Sequence, residues 1–260
     1  MFNPKTDKIE KIARSRQGIV KQLDNFFEVP TRFYIDYANV RPWSNKLKWH
    51  IDLGRLKQFL DSFSTIEAVN FYNGYIESSP RSRKEIQVLE NHKYTVRTKP
   101  VKIMRFPIDA SSISQDSTAL LGQFIRRALL RKYEVGTIEY LNDRFRDMNK
   151  KGEYYIEDRK CNFDVEIGVD MLLDLEKTDT EHFVLWSGDS DFADPLDKLL
   201  KAGKKVSLFA TARRVSRELS ELRGGGLIVF DIKKIRNFIC WNKEIESKED
   251  LSEEAPKLKN

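Results

Sequence analysis

Short apolar runs alternating with stretches of helical periodicity constrain this 260-residue chain more than any other feature. Arg32-Phe33-Tyr34-Ile35-Asp36 reads as an apolar strand ending in an acid. Asp52 can cap a helix carrying Leu53, Leu56, Phe59, Leu60 and Phe63 at helical spacing. A second strand follows at Ala68-Val69-Asn70-Phe71-Tyr72, then a helix over 81–91 and a third strand at Tyr94-Thr95-Val96-Arg97. The order resumes with helix 165–176, strand 183–186, helix 192–202 and strands at 206–209 and 227–230. Continuous apolar strands between amphipathic helices predict an α/β fold whose central, mostly parallel sheet is covered on both faces. In such folds ligands gather at the carboxyl edge of the sheet.

Between 98 and 160 this alternation breaks. A Ser-rich stretch (111–117) is followed by a basic amphipathic segment, 123–132, with Arg126, Arg127, Arg131 and Lys132. It reads as a helical insertion, because the sheet needs strands from both sides of it. Its apolar stripe (Leu121, Phe124, Ile125, Leu129, Leu130) predicts packing on the core or on a second copy of the chain, as in a homodimer. The expected organisation is therefore an N-terminal helical extension (1–28) packed outside the core, a main domain (29–240) and a charged tail (241–260). The two cysteines, Cys161 and Cys240, follow no metal-ligand spacing. The start, Met1-Phe2-Asn3-Pro4-Lys5, lacks the apolar core of a signal peptide, and no run reaches the length of a membrane span. A cytoplasmic protein that meets no membrane is expected. The net charge of +6 suits a polyanion partner if the surplus lies beside the site.

The chemistry concentrates in carboxylates at strand ends. Asp36 ends the first strand, with Asn39 three residues on; Asp164 opens a helix after Lys160-Cys161-Asn162-Phe163; Asp189 and Asp191 follow the run Phe183-Val184-Leu185-Trp186. Taken singly, each suits a turn or helix cap. Together, carboxylates at neighbouring strand ends repel one another unless a cation or proton compensates. Magnesium takes oxygen ligands, commonly one or two carboxylates with retained waters. Such an ion would lower the pKa of a bound water and offset charge on a leaving oxygen, which points to phosphate chemistry. Asn39 would position the water or a phosphate oxygen, and Ser187 and Ser190 would steady the loop or meet substrate. Asp170 lies six residues beyond Asp164, roughly 240° around the helix, and is the weaker metal candidate.

Tyr34-Ile35-Asp36-Tyr37-Ala38-Asn39-Val40, Lys160-Cys161-Asn162-Phe163-Asp164-Val165 and Leu185-Trp186-Ser187-Gly188-Asp189-Ser190-Asp191-Phe192 resemble the NYN domain, the LabA-like branch of the PIN-like nucleases. The likeness continues through Pro195-Leu196, Gly203-Lys204-Lys205-Val206, Ser216 and Leu219, over roughly residues 30–235. Asn162-Phe163 departs from the Gly-Val usual in the family. The resemblance implies a Rossmann-like, three-layer α/β/α PIN-type fold and Mg²⁺- or Mn²⁺-dependent hydrolysis of RNA, as an endonuclease. It implies that Asp36, Asp164, Asp189 and Asp191 are metal-binding acids, that Asn39 is a site amide, and that Asp170 joins the metal set.

Arg41-Pro42-Trp43-Ser44-Asn45-Lys46-Leu47-Lys48-Trp49-His50 interleaves aromatic and basic residues, a composition suited to stacking and holding single-stranded RNA. Taken alone, either tryptophan reads better as an anchor of the loop on the core. Arg126, Arg127, Lys204, Lys205, Arg213, Arg214 and Arg217 are further phosphate candidates. His50, His92 and His182 are scattered and read as surface or satisfied histidines. Two other functions fit less of the chain. A haloacid dehalogenase-type phosphohydrolase needs a second aspartate two residues after its nucleophile, and Asp36 is followed by Tyr37-Ala38. A catalytically silent RNA-binding or protein-interaction module would need no acids.

Overall fold

The computed structural model describes residues 1–111, 114, 135–211 and 215–245 and divides into two units, Met1–Pro100 with Cys161–Asn260, and Val101–Lys160. The larger unit opens with α1 (Asp7–Ser15) and α2 (Gln17–Phe26). Thr6 starts α1 by accepting the Ile9 N–H on its hydroxyl. Next come β1 (Thr31–Asp36), the single turns α3 (Tyr37–Val40) and α4 (Ser44–Leu47), α5 (Leu53–Leu60), β2 (Ile66–Tyr75), α6 (Pro80–Asn91) and β3 (Thr95–Pro100). As expected, Asp52 caps α5 through the Arg55 N–H.

The smaller unit pairs β4 (Lys102–Pro107) antiparallel with β5 (Tyr155–Lys160), in register from Lys102↔Lys160 to Pro107↔Tyr155, and carries α7 (Val135–Lys150) between them. The insertion is thus not purely helical, a correction to the sequence reading. Exposed apolar side chains such as Ile103 and Phe106 alternate with cations in β4, and no helical stripe forms there. The Asn149 amide accepts the Ala110 N–H at 2.7 Å and donates to the Glu153 carbonyl, fastening the unit internally. The basic segment 123–132, with Arg126 and Arg127, lies outside the described residues.

The chain returns to the larger unit with α8 (Asp164–Lys177), β6 (His182–Trp186), α9 (Ala193–Lys201), β7 (Lys205–Ala210), α10 (Arg217–Glu221), β8 (Ile228–Asp231) and α11 (Arg236–Ile239). The sheet order is β3-β2-β1-β6-β7-β8, with every neighbouring pair parallel. Helices flank it in a three-layer α/β/α arrangement. Every residue of β6 is buried, as a strand covered on both faces requires. The chain steps outward from β1 through β2 to β3, then restarts beside β1 and steps the other way. The order therefore reverses between β1 and β6, and the carboxyl ends flanking that reversal form the crevice where α/β sheets bind ligands.

The N-terminal helices do not sit outside the core. Ile9, Ile12, Leu23, Phe26 and Phe27 are buried in the same cluster as the strands, with Phe27 4.9 Å from Phe63 and 5.6 Å from Phe33 between ring centroids. Closure at the other end falls to Arg55. Its buried guanidinium donates to the carbonyls of Cys240, at 2.6 Å, and Asn237, tying α5 to α11. Among the described residues no helix is long and apolar enough to cross a membrane.

Candidate metal and nucleic-acid site

Asp36 is placed by the end of β1 and held there by partners from α3 and the loop after β6. It is only 3% exposed; one carboxylate oxygen accepts the Asn39 N–H at 3.4 Å as the cap of α3, and the other accepts the Ser187 hydroxyl at 3.1 Å. Ser187 is the first residue past β6, on the other side of the strand-order reversal, and is fully buried. Its Oγ in turn accepts the Asp189 N–H at 3.3 Å, and Asp189 accepts the Asp191 N–H at 3.3 Å to cap the short turn Ser190–Phe192. Asp36, Ser187, Asp189 and Asp191 are thus linked in series across the crevice. Asp164 stands at the first turn of α8.

These acids feel one another's charge. Burial pushes the Asp36 carboxyl up to about 6; the Ser187 and Asn39 hydrogen bonds pull it back, and the charges of Asp164 and Asp189 push it further up. Asp164 is raised by burial and then by Asp189 and Asp191, against a hydrogen bond from Asn162 and the charge of Lys99. Lys99 is already engaged, its Nζ 2.5 Å from Glu166. Among the described residues no three His, Cys, Asp or Glu side chains close around a common point.

The other site residues expected from sequence are dispersed. Asp170 points toward β2 and β3, where Arg97 Nη1 lies 2.7 Å from its carboxylate and the Tyr72 hydroxyl donates at 2.8 Å. Asp174, one turn on, is taken by Tyr34 at 2.6 Å and Arg32 at 3.2 Å. Asp170 is therefore held by Arg97 and Tyr72. Trp43 and Trp49 are buried, so these indoles anchor their loop and offer no face for a base; Trp43 as a stacking residue is corrected. Arg41 is turned to Glu85 at 3.5 Å, while Lys46 and Lys48 are exposed. Ser190 is partly exposed in its turn. Lys204 is corrected too. It precedes β7, at the amino edge of the parallel sheet and so opposite the acids, and pairs with Glu181 at 2.7 Å. Arg213 and Arg214 lie outside the described residues, and Arg217 is exposed in α10 beside Glu221. Sequence reasoning missed Asn162 and Lys99 as neighbours of Asp164. Their position, flanking the strand end and helix start beside a named acid, was the available signal.

Residues 108–223 match the family model of the NYN domain. The chain is 26% identical over 158 residues to the low amplitude and bright protein LabA of Synechococcus elongatus, covering 61% of this chain and 70% of that one. A solved structure, a protein of unknown function from Vibrio parahaemolyticus, is similar at a TM-score of 0.48 and 14% identity, covering 81% of this chain and 95% of that one. The matched segment, residues 108–223, is thus similar to the NYN domain, and the chain is similar to LabA over 158 residues.

Proposed function

We propose that this protein is a divalent-metal-dependent ribonuclease that cuts single-stranded RNA internally, with Asp36, Asp164, Asp189 and Asp191 holding Mg²⁺ or Mn²⁺. An NYN domain is of the PIN-like nuclease type, which supports a nuclease or RNA-related role. One observation carries the finer reading: burial and neighbouring acids raise both Asp36 and Asp164 where β1, β6 and α8 meet. Such a set is poorly stable as four free carboxylates and gains from a cation. The donors fit the ion, being hard carboxylate oxygens of which magnesium needs only one or two directly. When bound, such an ion activates a water and offsets charge on the leaving oxygen.

The chain's own part is positioning. Ser187 fixes the rotamer of Asp36 and the loop of Asp189 through one hydroxyl, so both carboxylates are held before substrate arrives. The N–H of Asn39 does the same from α3, leaving its side-chain amide for a water or phosphate oxygen. The second reading, an RNA-binding module without turnover, is favoured by one observation: among the described residues no three acids close on one point.

Incubation of the purified chain with single-stranded and hairpin RNA in Mn²⁺, Mg²⁺ or EDTA, beside Asp189→Asn, decides between them. Cleavage that needs the metal and falls by at least ~100-fold in Asp189→Asn, a barrier change of about 2.7 kcal/mol, supports the nuclease. Binding without cleavage supports the module, and equal cleavage by wild type and variant refutes the assignment.

A further inference from the structure

On the β7–β8 flank of the acids, the carboxyl edge of the sheet carries a second feature, opposite in charge. Lys46 and Lys48 from the α4 turn, Thr211 just past β7 and Lys233 just past β8 line a recess of about 330 Å³, with Asn45 at its rim and Trp43 and Leu47 supplying its apolar wall. Among the described residues no carboxylate lines it. Lys46, Lys48 and Lys233 make no ion pair among the described residues, unlike Lys99, Lys204 and Lys205, which are paired at 2.5–3.4 Å. The acid nearest in sequence, Asp231, is occupied as a cap by the Lys233 N–H at 3.1 Å. β7 pairs β8 with Ala210 opposite Asp231, which brings the residues just beyond each strand end, Thr211 and Lys233, to one place. β7 is separated from β1 by β6 alone, so β7, which leads into Thr211, runs about 10 Å, two strand spacings, from β1, which ends in Asp36.

The backbone of Lys48 supplies an independent sign. It ends α4 in the left-handed region (φ 64°, ψ 20°), its N–H bonded to the Ser44 carbonyl. That is a position where glycine is the unstrained choice and a side chain is conformationally disfavoured. The lysine kept there adds nothing to packing, since it is exposed, but it adds a third ammonium to the recess.

We propose that this recess binds an internal phosphate of the RNA strand next to the one at the acids, so that the lysines set which way the strand crosses the site. The proposal rests on the reading of the acid cluster as one that acts on RNA. Ammonium groups serve as adaptable point charges for phosphate, and the Thr211 hydroxyl and Asn45 amide add neutral donors.

The test measures binding of a short single-stranded RNA to the full chain by fluorescence anisotropy across a KCl series, in EDTA. The triple variant Lys46→Gln, Lys48→Gly, Lys233→Gln is compared with wild type and with the control Lys198→Gln on α9. The expected result is a weakening of at least about tenfold at low salt and a salt slope reduced by about 2, near 0.7 for each lost contact on a single strand. Lys48→Gly alone is expected to melt no lower than wild type and yet bind less tightly, which separates ligand contact from folding. Unchanged affinity and slope in the triple variant overturn the proposal. So does a loss confined to RNA bearing a terminal phosphate, which would make the recess an end-recognition pocket. If wild type cuts RNA and the triple variant binds normally, the recess fails while the nuclease reading stands. If wild type neither binds nor cuts RNA, both fail.

Discussion

His182 should make this protein acid-labile by a route independent of its acidic site. The imidazole opens β6, at the amino edge of the sheet, and is fully buried. Phe26 packs edge-on 5.0 Å away, and Phe27 adds a second ring. Its nitrogens meet only hydroxyls, Nε2 2.8 Å from Ser207 Oγ and Nδ1 3.4 Å from Thr31 Oγ1. Thr31 already donates to the Val29 carbonyl at 2.7 Å, so its oxygen is left to accept, which assigns the proton to Nδ1 and makes Nε2 the acceptor from Ser207. Such a pocket suits neutral imidazole and offers, among the described residues, no carboxylate to compensate a second proton. Burial, with the positive charge of Lys205 behind it, holds His182 down to about 3 from its ordinary 6.5. Between these values the unfolded chain binds a proton that the folded one refuses, so stability is full above about pH 6.5 and falls as pH drops toward 3. The linkage gives a loss of about 2.6 kcal/mol between pH 7.5 and 4.5, and about 4.8 kcal/mol at its limit. Asp36 titrates with the opposite sign, because its raised value lets the folded state hold the extra proton. The assay is therefore a difference: urea unfolding of wild type and His182→Gln over that pH range. The variant loses a fixed amount at pH 7.5 but lacks the titration, so the gap should close by about 2.6 kcal/mol at pH 4.5. Parallel curves would refute the burial argument.

Asp170→Asn should leave metal-dependent cleavage within about threefold of wild type and stability within about 1 kcal/mol, because its partner Arg97 is half-exposed and Tyr72 can still donate to the amide. A loss as deep as that of Asp189→Asn would restore Asp170 to the metal set. Phe27→Ala should cost about 3–5 kcal/mol in urea unfolding, since its ring is buried among Phe26, Phe33 and Phe63. By the same logic, deletion of residues 1–28 should abolish a cooperative transition, and a truncated chain that melts like wild type would show the extension to be peripheral. Gly168→Val should lower the melting temperature by forcing α8 from α9, because a Cβ there already lies 3.2 Å from Pro195 Cγ; overpacking of this kind costs about 1–3 kcal/mol.

The positions of Asp36, Asp189 and Asp191 were legible because an aspartate after an apolar strand has a defined address: the carboxyl edge of a parallel sheet. That rule needs only the strand, and β1 and β6 are unmistakable. What failed was charge and aromaticity read without an address. The Arg41–His50 stretch interleaves tryptophans with cations, and the same interleaving describes a half-buried segment, with Trp43 and Trp49 inward and Lys46 and Lys48 outward. Lys204 reads as a phosphate ligand by charge alone, although it precedes its strand, which puts it at the wrong edge. The N-terminal apolar positions are spaced as one buried face, yet sequence does not say what buries them; Phe63 and His182 come from elements farther along the chain. Lys233 was unreadable for a related reason. Its approach to Lys46 and Lys48 depends on the β7–β8 register and on a left-handed residue at 48.

The strand order also explains why a 60-residue unit can interrupt the chain without disturbing the acids. The path leaves the larger unit after Pro100, at the end of edge strand β3, and re-enters at Cys161, just before α8. A chain that has stepped out from β1 to the sheet's edge must travel back to the centre before β6 can pair with the other side of β1. That return is the one connection in the sheet whose length is not set by a short crossover between neighbouring strands. Its two ends are held locally, by Lys99 on Glu166 at 2.5 Å and over the Phe163 ring at 4.6 Å. Asp164 is thus placed by residues on either side of the interruption, Lys99 before it and Phe163 after it, while the connection between them is free to lengthen. A segment added there changes neither the register of β1 with β6 nor the turn that presents Asp189. By contrast, an insertion between β1 and α5 would displace Asn39, Lys46 and Lys48 at once.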